Sequence, residues 1–168
     1  MGVGKTTVGR ALATKLGYRF LDTDELIIRV TRQSINELFA SVGEPAFREI
    51  ETQVLAQVCA YTNRAIATGG GIVLQRQNWS YLQHGLIVWL DVPIDLLCDR
   101  LAADTDRPLL QASDLRTQLQ TILKQRQPLY AQADLHVSIT CDETPEQIAT
   151  RILAEIPQVL KQEVRDEG

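Results

Sequence analysis

The chain has 168 residues, 45% of them hydrophobic and 23% charged, which suits one globular domain with a substantial core and excludes extended disorder. A formal net charge of −4 argues against a general nucleic-acid-binding surface, which needs clustered Lys and Arg to displace counterions. Cys59, Cys98 and Cys141 are far apart and form no C-x-x-C pair, so they indicate neither a disulfide framework nor a zinc site and read as small buried hydrophobes. No apolar run approaches the ~18 residues of a membrane span, so no membrane partner and a cytoplasmic location are expected.

The first seven residues, Met1-Gly2-Val3-Gly4-Lys5-Thr6-Thr7, match the second half of the phosphate-binding pattern G-x-x-x-x-G-K-[ST]. In that pattern backbone N–H groups wrap the phosphates, the Lys reaches the β- and γ-phosphates and the hydroxyl ligates Mg²⁺. A glycine-rich tail is the bland alternative. Behind the loop, Val8, Leu12 and Leu16 recur at helical spacing and Gly17 stands at the helix stop. Loop then helix is the context a phosphate site needs, because the helix N-terminus adds its positive dipole end. Tyr18-Arg19-Phe20-Leu21 is a short strand candidate ending in Asp22-Thr23-Asp24. Carboxylates there either face a metal ion or substrate hydroxyl, or cap the helix suggested by Glu25, Leu26, Ile27, Ile28 and Val30; the pattern leaves both open.

Ser34-Ile35-Asn36-Glu37 is a capping box for a short helix that stops near Gly43, and Pro45 suits the first turn of the next, with Phe47, Ile50, Val54, Leu55 and Val58 on its apolar side. Arg48 on that helix, taken alone, reads as a surface residue paired with Glu44 or Glu51. Ala65-Ile66-Ala67-Thr68 is a small-residue strand, and Gly69-Gly70-Gly71 directly after it lets a backbone approach a ligand closely, or forms a flexible loop. A helix from about Gln77 to Gln83 precedes Leu86-Ile87-Val88-Trp89-Leu90, whose unbroken apolar character predicts a parallel strand covered on both faces. Pro93 opens a helix with Leu96, Leu97, Leu101 and, near its end, Arg100. The polar break around Asp104-Thr105-Asp106-Arg107-Pro108 reads as a lid or a plain connection. A helix from about Asp114 to Gln125 runs into Arg126-Gln127-Pro128-Leu129-Tyr130, Leu135 to Ile139 alternates as a strand, and Thr144-Pro145-Glu146-Gln147 caps a last helix that Pro157 bends or ends, leaving a frayed tail over about 161–168.

Strands and helices alternate throughout, which predicts an α/β domain with a parallel sheet and right-handed crossovers. The phosphate loop, the Asp22/Asp24 pair and the triple glycine all fall at carboxyl ends of strands, where such sheets bind ligands.

In this order and at this spacing, the phosphate loop, Phe20-Leu21-Asp22-Thr23-Asp24, Gly43 to Glu51, Ala67 to Gly71, Arg107-Pro108-Leu109-Leu110 and Arg126 to Tyr130 resemble the shikimate kinases, small P-loop kinases of the nucleoside-monophosphate-kinase type. The resemblance spans essentially the whole chain. It implies a three-layer P-loop fold, a five-stranded parallel sheet flanked by helices, one domain over 1–168 with a lid at about 103–114, and a monomer. It also implies transfer of the ATP γ-phosphate to the 3-hydroxyl of shikimate with Mg²⁺. Gly2, Val3, Gly4, Lys5, Thr6 and Thr7 would hold the phosphates, with Thr6 on the metal and Asp22 on its water shell. Asp24 would bind the substrate hydroxyls and orient or deprotonate the attacking one. Arg48 and Arg126 would grip the shikimate carboxylate, a job suited to the guanidinium fork. Gly69, Gly70 and Gly71 would line the pocket, Arg107 would neutralise the transferring phosphoryl group, and Arg100 would pack on adenine near Thr144 and Pro145. Lys5, Asp24 and Arg107 are thus the catalytic set.

Family members place a central strand before the loop, and this sequence starts inside it, so Met1 is expected to be an internal Met of a longer product whose first central strand is missing here. Competing readings are another small-molecule P-loop kinase, such as a gluconate kinase, and a non-catalytic relative. The Arg48/Arg126 pair favours shikimate, and the intact Lys5, Asp24, Arg48, Arg107 and Arg126 favour catalysis.

Overall fold

The computed structural model describes residues 2–102 and 112–166, with the backbone alone for 102, 112–114 and 161–166. The chain divides into two compact units, Lys5–Ile87, and Met1–Gly4 with Val88–Gly168.

In the unit Lys5–Ile87, helix α1 (Lys5–Leu16) ends where Gly17 turns left-handed at φ +68° and Tyr18 N–H reaches back to the Ala13 carbonyl at 2.9 Å. Strand β1 (Arg19–Asp22) follows, then α2 (Thr23–Thr31) and α3 (Ile35–Cys59). Ser34 and Glu37 close the predicted capping box, Glu37 N–H on Ser34 Oγ at 3.3 Å and Ser34 N–H on Glu37 Oε2 at 2.7 Å. Gly43, at φ 77° and ψ 170°, breaks α3 into the two expected helices, and Pro45 begins the second. Strand β2 (Arg64–Ala67), a 3-10 turn (Ile72–Leu74) and α4 (Arg76–Leu82) complete the unit. Its core is the cluster Ile27, Leu38, Phe47 and Val54, backed by Leu26, Ile35, Phe39 and Ile50. Strands β1 and β2 pair in parallel with Arg19 opposite Arg64 and Asp22 opposite Ala67. That register puts Asp22-Thr23-Asp24 and the triple glycine at the same strand ends.

The other unit contains β3 (Val88–Asp91), α5 (Ile94–Ala102), α6 (Ala112–Tyr130), β4 (Leu135–Ser138) and α7 (Pro145–Asp166). Strands β3 and β4 are parallel, with Trp89 opposite His136; those rings stack at 4.1 Å and Tyr130 lies 5.9 Å from Trp89. Leu135, Val137 and Ile139 bury the inner side of β4 against Ile148, Ala149 and Ile152 of α7. Thr144 and Gln147 cap α7 reciprocally.

Four expectations need correction. Strand β3 is half-buried along its length instead of covered on both faces, and among the described residues β4 is the one strand paired with it. Helix α6 continues through Arg126 and Pro128 to Tyr130, whose ring is held on Trp89. Helix α7 runs past Pro157 to Asp166 and so does not end where that proline, which lacks the N–H for a helical hydrogen bond, suggested; its buried Ile148, Ala149 and Ile152 anchor it before that point. Cys141 is exposed, and Cys59 and Cys98 are half-buried, so none packs as a fully buried hydrophobe. The expected lid at about 103–114, with Arg107, lies outside the described residues except for its last three, which open α6. Among the described residues no helix is long and apolar enough to cross a membrane.

Candidate active site

Helix α1 begins at Lys5, immediately after Gly2 and Gly4, which take φ +71° and +89°. Only glycine visits that region at little cost, and such turns aim successive N–H groups at one point. Thr6 Oγ1 donates to Asp22 Oδ2 at 2.7 Å, joining the loop to the end of β1. Asp22 also accepts from Asp24 N–H at 2.9 Å and Glu25 N–H at 3.4 Å as the N-cap of α2. The capping and functional readings of the aspartates are therefore compatible: one oxygen of Asp22 caps and the other meets Thr6, while Asp24 is left to another task.

Lys5 and Asp24 share one electrostatic environment. Burial pushes the Lys5 ammonium below its ordinary range, against the pull of Asp24 and Asp22. Burial, and then the Asp22 charge, raise the Asp24 carboxyl, opposed by Lys5 and Arg48. A half-buried ammonium, two half-buried carboxylates and a hydroxyl thus meet at the N-terminus of α1.

Arg48 is not the surface residue its sequence neighbours suggested. Its side chain is 11% exposed and donates Nη1 to Glu51 Oε2 at 2.8 Å and Nη2 to Glu44 Oε1 at 2.9 Å. Phe47 and Phe39 flank it, with their ring centroids 5.3 and 5.7 Å from Cζ. Both glutamates proposed as partners are used, and Glu51, 1% exposed, is the one that fixes the buried side.

The triple glycine packs on these groups. A Cβ at Gly69 would stand 2.6 Å from Glu51 Oε1 and 3.1 Å from Asp24 Oδ1, and one at Gly71 would stand 2.6 Å from Arg48 Cζ. Glycine here leaves room for backbone beside charged side chains, the close approach the sequence suggested. Lys5, Thr6, Asp22, Asp24, Arg48, Gly69 and Gly71 are therefore gathered in one unit, with Thr7 and Gly70 in the same segments.

In the other unit, Arg100 on α5 donates Nη1 to the Gly2 and Val3 carbonyls at 3.2 and 3.4 Å. Arg126 lies on α6, one helical turn before Tyr130 and on the same face. Sequence reasoning missed Thr23, which accepts from Gly69 N–H, and Asn78 and Trp79, which donate to the Ile72 and Val73 carbonyls just past the glycines, none of which has a local signature; Glu51 was visible only as one of two pairing options for Arg48.

The family model for shikimate kinase matches residues 1–157. The chain is 62% identical over 162 residues to the shikimate kinase of Nostoc sp. (strain PCC 7120 / SAG 25.82 / UTEX 2576), covering 96% of this chain and 90% of that protein. It is 63% identical over 161 residues to that of Nostoc punctiforme, covering 96% and 89%. Among solved structures it is similar to the shikimate kinase from Acinetobacter baumannii in complex with shikimate, at TM-score 0.86 and 40% identity over 94% of this chain and 89% of that one. The Bacteroides thetaiotaomicron shikimate kinase gives TM-score 0.88 and 32% identity, covering 94% of each. The α/β fold is thus shikimate-kinase-like, and the chain belongs to the shikimate kinase family, as a P-loop, ATP-using transferase.

Proposed function

We propose that this chain transfers the γ-phosphate of ATP to the 3-hydroxyl of shikimate, giving shikimate 3-phosphate and ADP. One observation carries the reading: Asp24 and Arg48, a half-buried carboxylate and a guanidinium held on two glutamates, both lie against the Gly69–Gly71 segment. A carboxylate that takes hydroxyls and a fork that takes a carboxylate match the two ends of a small anionic polyol.

Lys5 and the N–H groups of Gly2, Val3, Gly4, Thr6 and Thr7 hold the ATP phosphates. Thr6 Oγ1 and Asp22 Oδ2, 2.7 Å apart, are hard oxygen donors of the kind Mg²⁺ takes, so Thr6 and Asp22 would hold the ion, which would supply neutralisation of phosphate charge. Asp24, its carboxyl raised by burial and the Asp22 charge, binds the substrate hydroxyls and orients or deprotonates the attacking one. Arg48 and Arg126 hold the substrate carboxylate, Gly69, Gly70 and Gly71 line its pocket, Arg107 neutralises the transferring group from the lid, and Arg100 packs on adenine. Phosphoryl transfer asks for positioning and charge neutralisation, and this set supplies both.

We read residues 1–168 as one such domain, cytoplasmic and monomeric, with neither nucleic acid nor membrane as partner. The five-stranded sheet that the resemblance implies has one strand more than the four described, which pair as β1 with β2 and β3 with β4. The test is a coupled ADP-release assay with ATP, Mg²⁺ and shikimate, on the 168 residues and on a version extended upstream through such a strand. Shikimate-dependent ADP release is the expected result, and release in the extended form alone supports the five-stranded reading. Folded protein with no release in either form overturns the activity in favour of a non-catalytic relative.

A further inference from the structure

The glycine segment that receives Arg48 is itself held at both ends by side chains that the proposed chemistry does not use. At its start, Gly69 N–H donates to the hydroxyl of Thr23 at 3.3 Å; Thr23 is fully buried between the two aspartates. Just past its end, Asn78 Nδ2 donates to the Ile72 carbonyl at 2.8 Å and Trp79 Nε1 to the Val73 carbonyl at 3.1 Å. Between these anchors, Ile72 N–H and Leu74 N–H close the turn on the Gly69 and Gly71 carbonyls at 3.2 and 3.0 Å.

Asn78 is costly where it stands. Its side chain is fully buried, and Oδ1 has no hydrogen-bond partner among the described residues. Half-satisfied buried amides are unfavourable against an apolar group of the same shape, so fold stability alone is a poor account of this one. Its donor half, however, fixes the carbonyl one residue past Gly71, and Gly71 is where the Arg48 guanidinium rests. A shift of the turn by a few tenths of an ångström would move the backbone against which Arg48 is packed, and such misplacements are felt at a binding site.

We propose that Asn78 and Trp79, on the first turn of α4, are positioning residues for the shikimate pocket, clasping the Ile72–Val73 turn so that Gly71 seats Arg48. They act through Arg48 and touch no substrate. The inference rests on the reading of Arg48 as the carboxylate holder.

The test is the kinetics of Asn78→Leu and Trp79→Phe in the full chain, with the Michaelis constants for shikimate and ATP measured separately and Arg48→Ala as reference. Leu keeps the volume and removes both the donor and the orphaned acceptor; Phe removes one N–H and keeps a ring. We expect each to raise the shikimate KM about tenfold, roughly the worth of one hydrogen bond, with the ATP KM within about twofold. A lowered Tm with both KM values unchanged in Trp79→Phe, the mildest variant, overturns the clasp. Normal shikimate KM in Arg48→Ala overturns the pocket reading instead, so the two failures are distinct.

Discussion

The chain uses glycine for opposite reasons in two stretches. At Gly2 and Gly4 the demand is conformational: both backbones are left-handed, and a Cβ at Gly2 would meet Leu101 at an ordinary 3.4 Å. At Gly69 and Gly71 the demand is spatial: neither takes a positive φ, yet a Cβ would run into Glu51, Asp24 and Arg48. The first arrangement serves a ligand bound by backbone N–H groups, the second one bound by side chains that must lie flat on a backbone.

The largest expected effect tests what the second stretch packs against. Asp24→Asn should lower kcat about 10²–10⁴-fold, the usual worth of a positioned base. Because burial and Asp22 raise the Asp24 carboxyl above the ordinary aspartate value of about 3.9, wild-type kcat/KM for shikimate should fall on acidification from a pH above that value. The stability linkage runs the other way. The folded state holds this proton more tightly, so the contribution of Asp24 to stability is fully present below its unfolded pKa and lost as pH rises through its folded pKa. Near-normal turnover in Asp24→Asn, or an acid limb confined to the ordinary aspartate range, removes Asp24 as the base.

Gly71→Ala sharpens the spatial half of the contrast. The group displaced is the Arg48 guanidinium, so the shikimate KM should rise about tenfold or more, and Tm should fall as far as its pair with buried Glu51 is disturbed. Gly69→Ala should also lower Tm, because Glu51 is buried and paired and cannot yield as Arg48 can. Kinetics and Tm unchanged in both would mean that space is not what selects glycine there.

The smallest effect belongs to the conformational half. Gly4→Ala forces a Cβ into the left-handed region at a cost of about 1–2 kcal/mol, to be read as a lower Tm and a higher ATP KM with the shikimate KM unchanged. A shikimate-specific defect would erase the distinction between the two stretches.

Much of the fold was legible because its signals are local. Ser34 with Glu37 and Thr144 with Gln147 are reciprocal caps that need only three residues of spacing. Gly17, Gly43 and the alternation of β4 follow the same logic. Helix α6 ran further than its sequence suggested, through Pro128 to Tyr130, whose ring meets Trp89 in a tilted contact that no spacing along the chain announces. The candidate site was legible in its residue types and less so in its arrangement. Asp22 could be a cap or a ligand until its two oxygens were seen to serve α2 and Thr6 separately.

The sequence by itself determined the loop-then-helix pattern around Lys5, the caps at Ser34–Glu37 and Thr144–Gln147 and the α/β alternation, since each depends on near neighbours along the chain; Asp24 and Arg48 became candidates only through the order and spacing of motifs that resemble the family. Tertiary structure alone decided that Arg48 is buried on Gly71, that Asp24 and Lys5 shift each other's protonation, and that Asn78 and Trp79 hold the turn beyond the glycines. Burial, and the charges and carbonyls that surround a side chain, come from segments brought together by packing, and no spacing along the chain encodes them.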